Sequence, residues 1–293
     1  MKVAIYGQNY VNESNEKAFK LLVDYLTKKN DIAIFVESKF LEIQDAQQHN
    51  NWSFGIFTTL DDSFDLLISI GGDGTILRAI TYVRNLNIKI IGINTGRLGF
   101  LATIQTNEIS DALDKILRGN YKTSERSLLA VAIDPENTEV AETNFALNEV
   151  TISRKNTTSM ITVETHLDQE YLTSYWADGL ILATPTGSTG YSLSCGGPVI
   201  SPETNSLVLT PIAPHNLNAR PLIIPDKTDV KFKVNGREDQ FLLSLDSRII
   251  TLPNSATIHV KKANFNIKMV ELHSESFLDT LRKKMLWGED QRN

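Results

Sequence analysis

Leu66-Leu67-Ile68-Ser69-Ile70-Gly71-Gly72-Asp73-Gly74-Thr75-Ile76-Leu77-Arg78-Ala79-Ile80 is an apolar run that turns through three glycines and one acid into a helical pattern. Glycines this dense let backbone N–H groups approach an anion without interference from a Cβ. The helix behind them points its own unpaired N–H groups at the same place. Read this way, Gly71, Gly72, Gly74 and Thr75 form a phosphate cradle, and Asp73 is the one carboxylate in it. A plainer reading is equally open at this point. The glycines then answer only the steric needs of a tight strand-to-helix turn, and Asp73 is the helix N-cap.

Outward from the turn, short β-type runs alternate with helical patterns from the start of the chain to about residue 120. This predicts a Rossmann-like α/β domain with a mostly parallel sheet. Residues 3–6, 32–36, 66–70 and 88–93 read as strands. Phe19, Leu22, Val23 and Leu26 recur at helical spacing behind Asn12 or Ser14 as N-cap, and further helices are expected over 75–86 and 108–118, the last stopped by Gly119-Asn120. The polar stretch 37–62, with Trp52-Ser53-Phe54 inside it, reads as a weak helix followed by a mobile loop. A second glycine-rich loop, Asn94-Thr95-Gly96-Arg97-Leu98-Gly99-Phe100, leaves the strand at 88–93. Ligands of open α/β sheets lie outside the carboxyl ends of the strands, so the two loops are expected to line one pocket.

After about Ser124 the hydrophobic period changes from 3.6 to 2, and no long helix is expected before the last segment. Runs at 129–133, 149–153, 160–165, 171–175, 180–183, 207–209, 230–234 and 257–261 read as strands, and Asn235-Gly236 as a hairpin turn. The expected organisation is an α/β domain over 1–124, an all-β, sandwich-like domain over 125–270, and a segment 271–293. In that last segment Phe277, Leu278, Leu281, Met285 and Leu286 form an amphipathic helix between Ser276 and Gly288 that returns to the first domain.

Composition narrows the function. With 293 residues the chain can build two cores, and 41% hydrophobic and 22% charged residues describe an ordinary globular protein. A formal charge of -6 and a pI near 5.5 argue against a nucleic-acid partner and for a small one. The single cysteine, Cys195, forbids an intrachain disulfide and points to the cytoplasm. No signal-peptide core and no run of membrane-spanning length occurs. His49, His166, His215, His259 and His273 lack metal-ligand spacing, so no protein-built metal site is expected, although a nucleotide can carry magnesium.

A third glycine-rich stretch runs Asp178-Gly179-Leu180-Ile181-Leu182-Ala183-Thr184-Pro185-Thr186-Gly187-Ser188-Thr189-Gly190-Tyr191-Ser192-Leu193-Ser194-Cys195-Gly196-Gly197-Pro198. Its small hydroxyl residues and glycines suit close approach of a ligand, with Tyr191 as a flat surface for a base or ribose. The alternative is a Ser/Thr/Gly loop in which Asp178-Gly179 is a hairpin turn. Gly-x-Ser-x-Gly spacing is absent, which sets aside a nucleophilic Ser188. Asn148-Glu149 could grip the two hydroxyls of a ribose or be a solvated strand edge, and Arg220 could meet a carboxylate or a phosphate.

These motifs resemble, in order, those of the NAD kinases: Gly71-Gly72-Asp73-Gly74-Thr75, Asn94 to Phe100, Leu147-Asn148-Glu149, Asp178-Gly179, Thr184 to Pro198, Pro214-His215, Arg220-Pro221, and Leu281-Arg282-Lys283-Lys284 with Trp287-Gly288. The resemblance implies transfer of the γ-phosphoryl of ATP to the 2′-hydroxyl of the adenosine ribose of NAD, giving NADP. It implies Mg2+ or another divalent metal carried by ATP, and a homodimer or homotetramer. By the same resemblance Asp73 is the base or orienting acceptor for the 2′-hydroxyl, or a metal ligand, while the glycine amides face nucleotide phosphates. Asn148 and Glu149 hold the nicotinamide-side ribose, and Asp178 lies near the nicotinamide. Phe100, Thr189, Gly190, Tyr191 and Ser194 line the adenine-side pocket. The chain departs from the family at Gly190, where alanine is common, and at Asp246-Ser247-Arg248, where Asp-Gly-Gln is expected. A lipid or sugar kinase with a similar turn and a non-catalytic dinucleotide-binding protein are the competing readings; a P-loop kinase is excluded because Gly-x-x-x-x-Gly-Lys-Ser/Thr does not occur.

Overall fold

A computed structural model of the protein describes residues 1–8, 12–43, 54–156, 159–274 and 276–286. Two compact units are present: Met1–Glu125 together with Ile267–Asn293, and Arg126–Asn266.

In the first unit the order is β1 (Lys2–Gly7), α1 (Glu13–Leu26), β2 (Ala33–Glu37), α2 (Ser38–Ile43), β3 (Gly55–Phe57), β4 (Leu66–Ile70), α3 (Asp73–Val83), β5 (Lys89–Asn94), β6 (Ile104–Gln105) and α4 (Ile109–Leu117). The strands pair in parallel as β3-β2-β1-β4-β5. β4 is buried along its whole length, as a strand covered on both faces must be, which is why it reads as an unbroken apolar run. The chain moves outward from β1 to β3 and returns on the other side of β1. The strand order therefore reverses between β1 and β4, and β4 delivers its glycine turn at the carboxyl edge of that reversal. Asn12 is the cap of α1, accepting from the amides of Ser14 and Asn15. The helix then buries Phe19, Leu22, Val23 and Leu26 in one cluster with Val3, Ile5, Ile68 and Ile91.

Within 37–62 the structure shows α2, started by the Glu37 carboxylate accepting from the amide of Phe40 at 2.8 Å, and then the parallel strand β3. Three residues are too few to show alternation, so β3 escaped sequence reading. Trp52 and Ser53 lie outside the described residues.

The second unit is built from β7 (Lys122–Asp134), β8 (Phe145–Ala146), β9 (Glu149–Arg154), β10 (Ile161–Leu167), β11 (Glu170–Ala177), β12 (Gly179–Ala183), α5 (Tyr191–Ser194), β13 (Ser206–Ile212), β14 (Leu222–Pro225), β15 (Val230–Gly236), β16 (Gln240–Leu245), β17 (Arg248–Pro253) and β18 (Thr257–Glu271). One antiparallel sheet runs β14-β13-β12-β9-β16-β17, and the other runs β11-β10-β15-β18. Val150, Ile152, Leu180, Phe241 and Leu243 of the first sheet share a core with Ile161, Val163, Phe232 and Ile258 of the second, so the unit is a sandwich. The last residues of β18 leave it, and Lys268 and Met269 pair in parallel with β5 of the first unit.

Two expected hairpin turns do not form. Asn235-Gly236 is not a hairpin: both residues stay in β15, opposite Thr162 and Ile161, and the next strand, β16, belongs to the other sheet. A ladder partner supplied by a distant strand overrides the local turn preference. Asp178-Gly179 is not a hairpin either, because β11 and β12 lie in different sheets. A Cβ at Gly179 would stand 2.3 Å from the Ile152 carbonyl oxygen, so this glycine serves close strand approach. Two-residue hairpins form elsewhere: β10 turns into β11 through Asp168-Gln169, both at positive φ, and β16 into β17 through Asp246-Ser247, with Asp246 in the left-handed region at φ 52°.

After β18 comes α6 (Phe277–Met285), capped by Ser276, which accepts from the amide of Asp279 at 3.1 Å. Phe277 packs on Phe100 of the first unit, ring centroids 6.1 Å apart. The expected stop at Gly288 lies outside the described residues, as does Trp287. Among the described residues no helix is long and apolar enough to cross a membrane.

Candidate active site

The glycine turn divides its labour. Gly71 is there for steric reasons: its φ is +145°, and a Cβ would fall 2.2 Å from the Thr75 hydroxyl oxygen. Gly72 and Gly74 are not, because a Cβ on either would meet nothing within 4 Å. The open space lies at the N-terminus of α3, where Gly72 is the cap and no side chain accepts from the first amides. An uncapped helix start beside bare backbone is a ready place for an anion.

Asp73 is the first residue of α3 rather than its cap, which corrects the plainer reading of the turn. Its carboxylate reaches across to the second glycine loop. Oδ1 accepts from the amides of Leu101 and Ala102, both at 3.0 Å, and Oδ2 accepts from Phe100 at 2.8 Å. Gly99 allows this approach, since a Cβ there would lie 1.9 Å from Oδ1. The two loops expected to share a pocket are thus tied together by the acid itself. Oδ2 keeps room for one more donor, and Lys284 Nζ of α6 stands 4.0 Å from it.

In the second unit Leu147-Asn148-Glu149 is gripped from two sides. The buried Asp246 carboxylate accepts from the amides of Leu147, Asn148 and Glu149 at 3.0, 2.8 and 3.2 Å. Arg248 donates to the carbonyls of Thr143 and Phe145 on the approaching chain. On the other side Thr184 donates its hydroxyl to Leu147 O at 2.6 Å and its amide to Asn148 O at 2.8 Å. Gly187 packs so close that a Cβ would be 2.0 Å from Asn148 O. The departure at Asp246-Ser247-Arg248 is therefore a clamp on the Asn148-Glu149 backbone.

What this clamp presents is a pair of buried polar oxygens. Asn148 Oδ1 and Glu149 Oε2 are both buried without a hydrogen-bond partner. Burial, and next the neighbouring Asp246 charge, push the Glu149 carboxyl up to about 8, against a lowering contribution from the Tyr191 amide. A group raised this way binds its proton more tightly in the folded chain than in the unfolded one. Glu149 hence supports stability at low pH, and that support is lost as pH rises from about 4.5 through about 8. The neutral isostere Glu149→Gln is expected to raise the unfolding midpoint at pH 8 by roughly 5 °C and to flatten the pH dependence over that window. Thermal unfolding at pH 5, 6.5 and 8 checks this; a variant that stays parallel to the parent at all three would refute the buried, protonated Glu149.

Gly190 and Tyr191 close over this pair. A Cβ at Gly190 would sit 3.0 Å from Glu149 Oε2 and 3.3 Å from Asn148 Nδ2, so the glycine leaves the pair uncrowded where alanine would press on it. The Tyr191 phenol, raised by burial first and by Cys195, Asp178 and Glu149 in turn, lies within the field of both acids. Tyr191 and Ser194 are exposed and Thr189 is half-buried. Most other hydroxyls of the stretch are turned inward. Ser188 donates to Pro185 O at 2.6 Å and accepts from the Ile200 amide at 2.9 Å, and Ser192 bonds Thr210 at 2.7 Å. These hydroxyls hold the loop's shape rather than await a ligand.

Asp178 pairs with Arg154 at 3.0 Å and lines a cavity of about 360 Å³ with Trp176, His215 and Arg237, where the Trp176 and His215 rings lie 5.0 Å apart. Arg220 donates to Leu217 O and Ala219 O of its own loop. Sequence reading assigned no role to Asp246, Arg248 or Lys284. An aspartate in a two-residue turn reads as turn chemistry, and a lysine in a basic helix end reads as solvated surface.

Family models described as the ATP-NAD kinase N-terminal domain and the ATP-NAD kinase C-terminal domain match residues 3–121 and 147–272. Curated relatives include the NAD kinases of Flavobacterium johnsoniae and Christiangramia forsetii, each 55% identical to this chain with 100% of both chains covered. Among solved structures, yeast NADH kinase complexed with NADH superposes with a TM-score of 0.86 at 23% identity, over 99% of this chain and 88% of the other. An NAD kinase from Archaeoglobus fulgidus in complex with ATP gives a TM-score of 0.75 at 22% identity, over 98% and 99%.

Proposed function

The chain belongs to the NAD kinase family, and from that premise we propose that it transfers the γ-phosphoryl of ATP to the 2′-hydroxyl of the adenosine ribose of NAD, giving NADP and ADP. In the first unit the amides of Gly72 and Gly74 face the triphosphate, whereas those of Gly71 and Thr75 donate to Ile93 O and Gly72 O at 2.9 Å each and take no part in the expected cradle; Phe100 offers its ring to the adenine side. Asp73 Oδ2 receives the attacking hydroxyl, with its carboxylate already oriented by the amides of residues 100–102. Held in that way, Asp73 orients the hydroxyl and takes its proton late in the transfer. In the second unit Asn148 and Glu149 hold the nicotinamide-side ribose, Asp178 lies toward the nicotinamide, and Thr189, Gly190, Tyr191 and Ser194 line the adenine-side surface.

The observation that carries the acceptor assignment is the pair of buried, partnerless oxygens on Asn148 and Glu149. Two adjacent buried oxygens without partners suit the paired hydroxyls of a vicinal diol, which a ribose supplies and the single hydroxyl of a diacylglycerol does not. The donor assignment rests on the open, uncapped start of α3.

A divalent ion carried on the triphosphate is what the family resemblance implies, and Asp73 is the carboxylate of the turn that it would meet. Such an ion supplies charge neutralisation of the phosphoryl oxygens. Action as a homodimer or homotetramer in the cytoplasm rests on the family resemblance.

Incubating the purified protein with ATP, magnesium and NAD, and detecting product with an NADP-specific dehydrogenase, is expected to show NADP formed in step with ADP. ATP consumption without NADP would return the assignment to a kinase with another alcohol acceptor, and neither product would leave a dinucleotide-binding protein.

A further inference from the structure

We propose that Lys284, on the last turn of α6, is a catalytic residue of the phosphoryl transfer, supplying the cation that meets the transferring group beside Asp73. The inference rests on the kinase reading and concerns a residue far in sequence from every glycine loop. Three observations carry it. Lys284 Nζ stands 4.0 Å from Asp73 Oδ2, the oxygen with room for a further donor. Nζ also lies 5.0 Å from the centre of the Phe100 ring, so the ammonium sits over an aromatic face and beside a carboxylate at once. Phe100 in turn packs on Phe277, the first residue of the same helix, which fixes both ends of α6 to the loop that Asp73 holds.

At 4.0 Å the pair is too long for a direct hydrogen bond, and both side chains remain partly open to solvent. Such a pair contributes little to stability, so stability does not explain why a lysine stands there. Its position does have a chemical use. The α3 turn offers neutral amides and one negative charge, and a triphosphate arriving there brings more negative charge beside Asp73. In the transfer the ribose 2′-oxygen bonds to the γ-phosphorus as the bond from phosphorus to the β,γ-bridging oxygen breaks. The hydroxyl proton passes to Asp73 Oδ2, and the electron pair leaves on ADP. A mobile ammonium within reach of Oδ2 can turn from the carboxylate to an equatorial phosphoryl oxygen, offsetting the charge the aspartate would otherwise repel.

The test uses the full chain with Lys284→Ala and Lys284→Arg. Removing one preorganised donor to developing charge is expected to lower kcat by about 100-fold in Lys284→Ala. KM for NAD should stay within about threefold of the parent and the unfolding midpoint within about 2 °C, as befits a partly exposed pair. Lys284→Arg, which keeps the charge, should recover at least about tenfold of the loss. A second readout needs no acceptor: affinity for inorganic tripolyphosphate should fall by about tenfold in Lys284→Ala, as the loss of one charge-assisted contact predicts. A kcat within threefold of the parent, or a loss of kcat that follows a fall in melting temperature with tripolyphosphate affinity unchanged, overturns the proposal. A parent protein that makes no NADP but loses tripolyphosphate affinity on the same substitution would overturn the kinase reading while upholding the phosphate contact of Lys284.

Discussion

Asp73→Asn is expected to lower kcat by about 1,000-fold while leaving the chain folded, because the substitution touches two functions of one carboxylate. The first is chemical: an amide cannot take the hydroxyl proton. The second is positional. Asp73 accepts three backbone N–H groups, two on Oδ1 and one on Oδ2. An asparagine can present an oxygen to only one of those positions, and its NH2 then confronts a backbone donor at the other. The loop at 99–102 should loosen, so KM for ATP rises together with the fall in kcat. Asp73→Ala, lacking every acceptor, should raise KM for ATP further than Asp73→Asn does. Steady-state kinetics on both variants read this directly. Equal KM values in the two, with kcat alone reduced, would show that the carboxylate serves the hydroxyl and not the loop.

Asp246→Ala is expected to strike the acceptor side alone. The substitution deletes a buried carboxylate that accepts the amides of Leu147, Asn148 and Glu149, and it leaves Arg248 without its acid partner at 3.7 Å. Buried donors left without acceptors cost about 1–3 kcal/mol each, less what relaxation recovers, so a loss of roughly 4 kcal/mol is expected, lowering the unfolding midpoint by about 10 °C. In the chain that remains folded, Asn148 Oδ1 and Glu149 Oε2 lose their fixed geometry. KM for NAD should then rise by more than tenfold, a loss of about 1.4 kcal/mol or more, while KM for ATP changes little. The ratio of the two KM values is the measurement that matters. A parallel rise in both would mean that Asp246 supports the fold generally and not the Asn148-Glu149 pair.

How far these residues could be read beforehand follows from the range of the forces that place them. The turn after β4 was legible because its causes are local: an apolar strand, glycines, and a helix whose first amides need partners. The change from period 3.6 to period 2 near Ser124 was legible for the same reason. Asn235-Gly236 misled because a turn-prone dipeptide states only a preference of about 1 kcal/mol, and pairing with β10 across more than 70 residues outweighs it. β16 and β17 escaped because Leu242 and Ile249 are apolar at outward positions and blur the alternation. Asp246 and Lys284 were silent for a stronger reason. Each acts on a residue almost 100 or more than 200 positions away, and no local spacing records such a partner.

The first unit is closed by chain that follows the whole of the second, residues 267–286 returning to strands made from residues 1–125. During synthesis the glycine turn and Asp73 leave the ribosome early, and then the entire β-sandwich must be translated before β18 reaches β5 and α6 brings Lys284 beside Asp73. At about 5–20 residues per second that delay is on the order of 10 s. A nascent or prematurely released chain therefore carries the acid and its amides without the helix that sets a cation against them. The order in which the ribosome delivers the parts makes the C-terminal helix the last piece of the first unit to arrive, and on the kinase reading a chain cut short before it would keep Asp73 and the Asn148-Glu149 pair while lacking the cation proposed at Lys284.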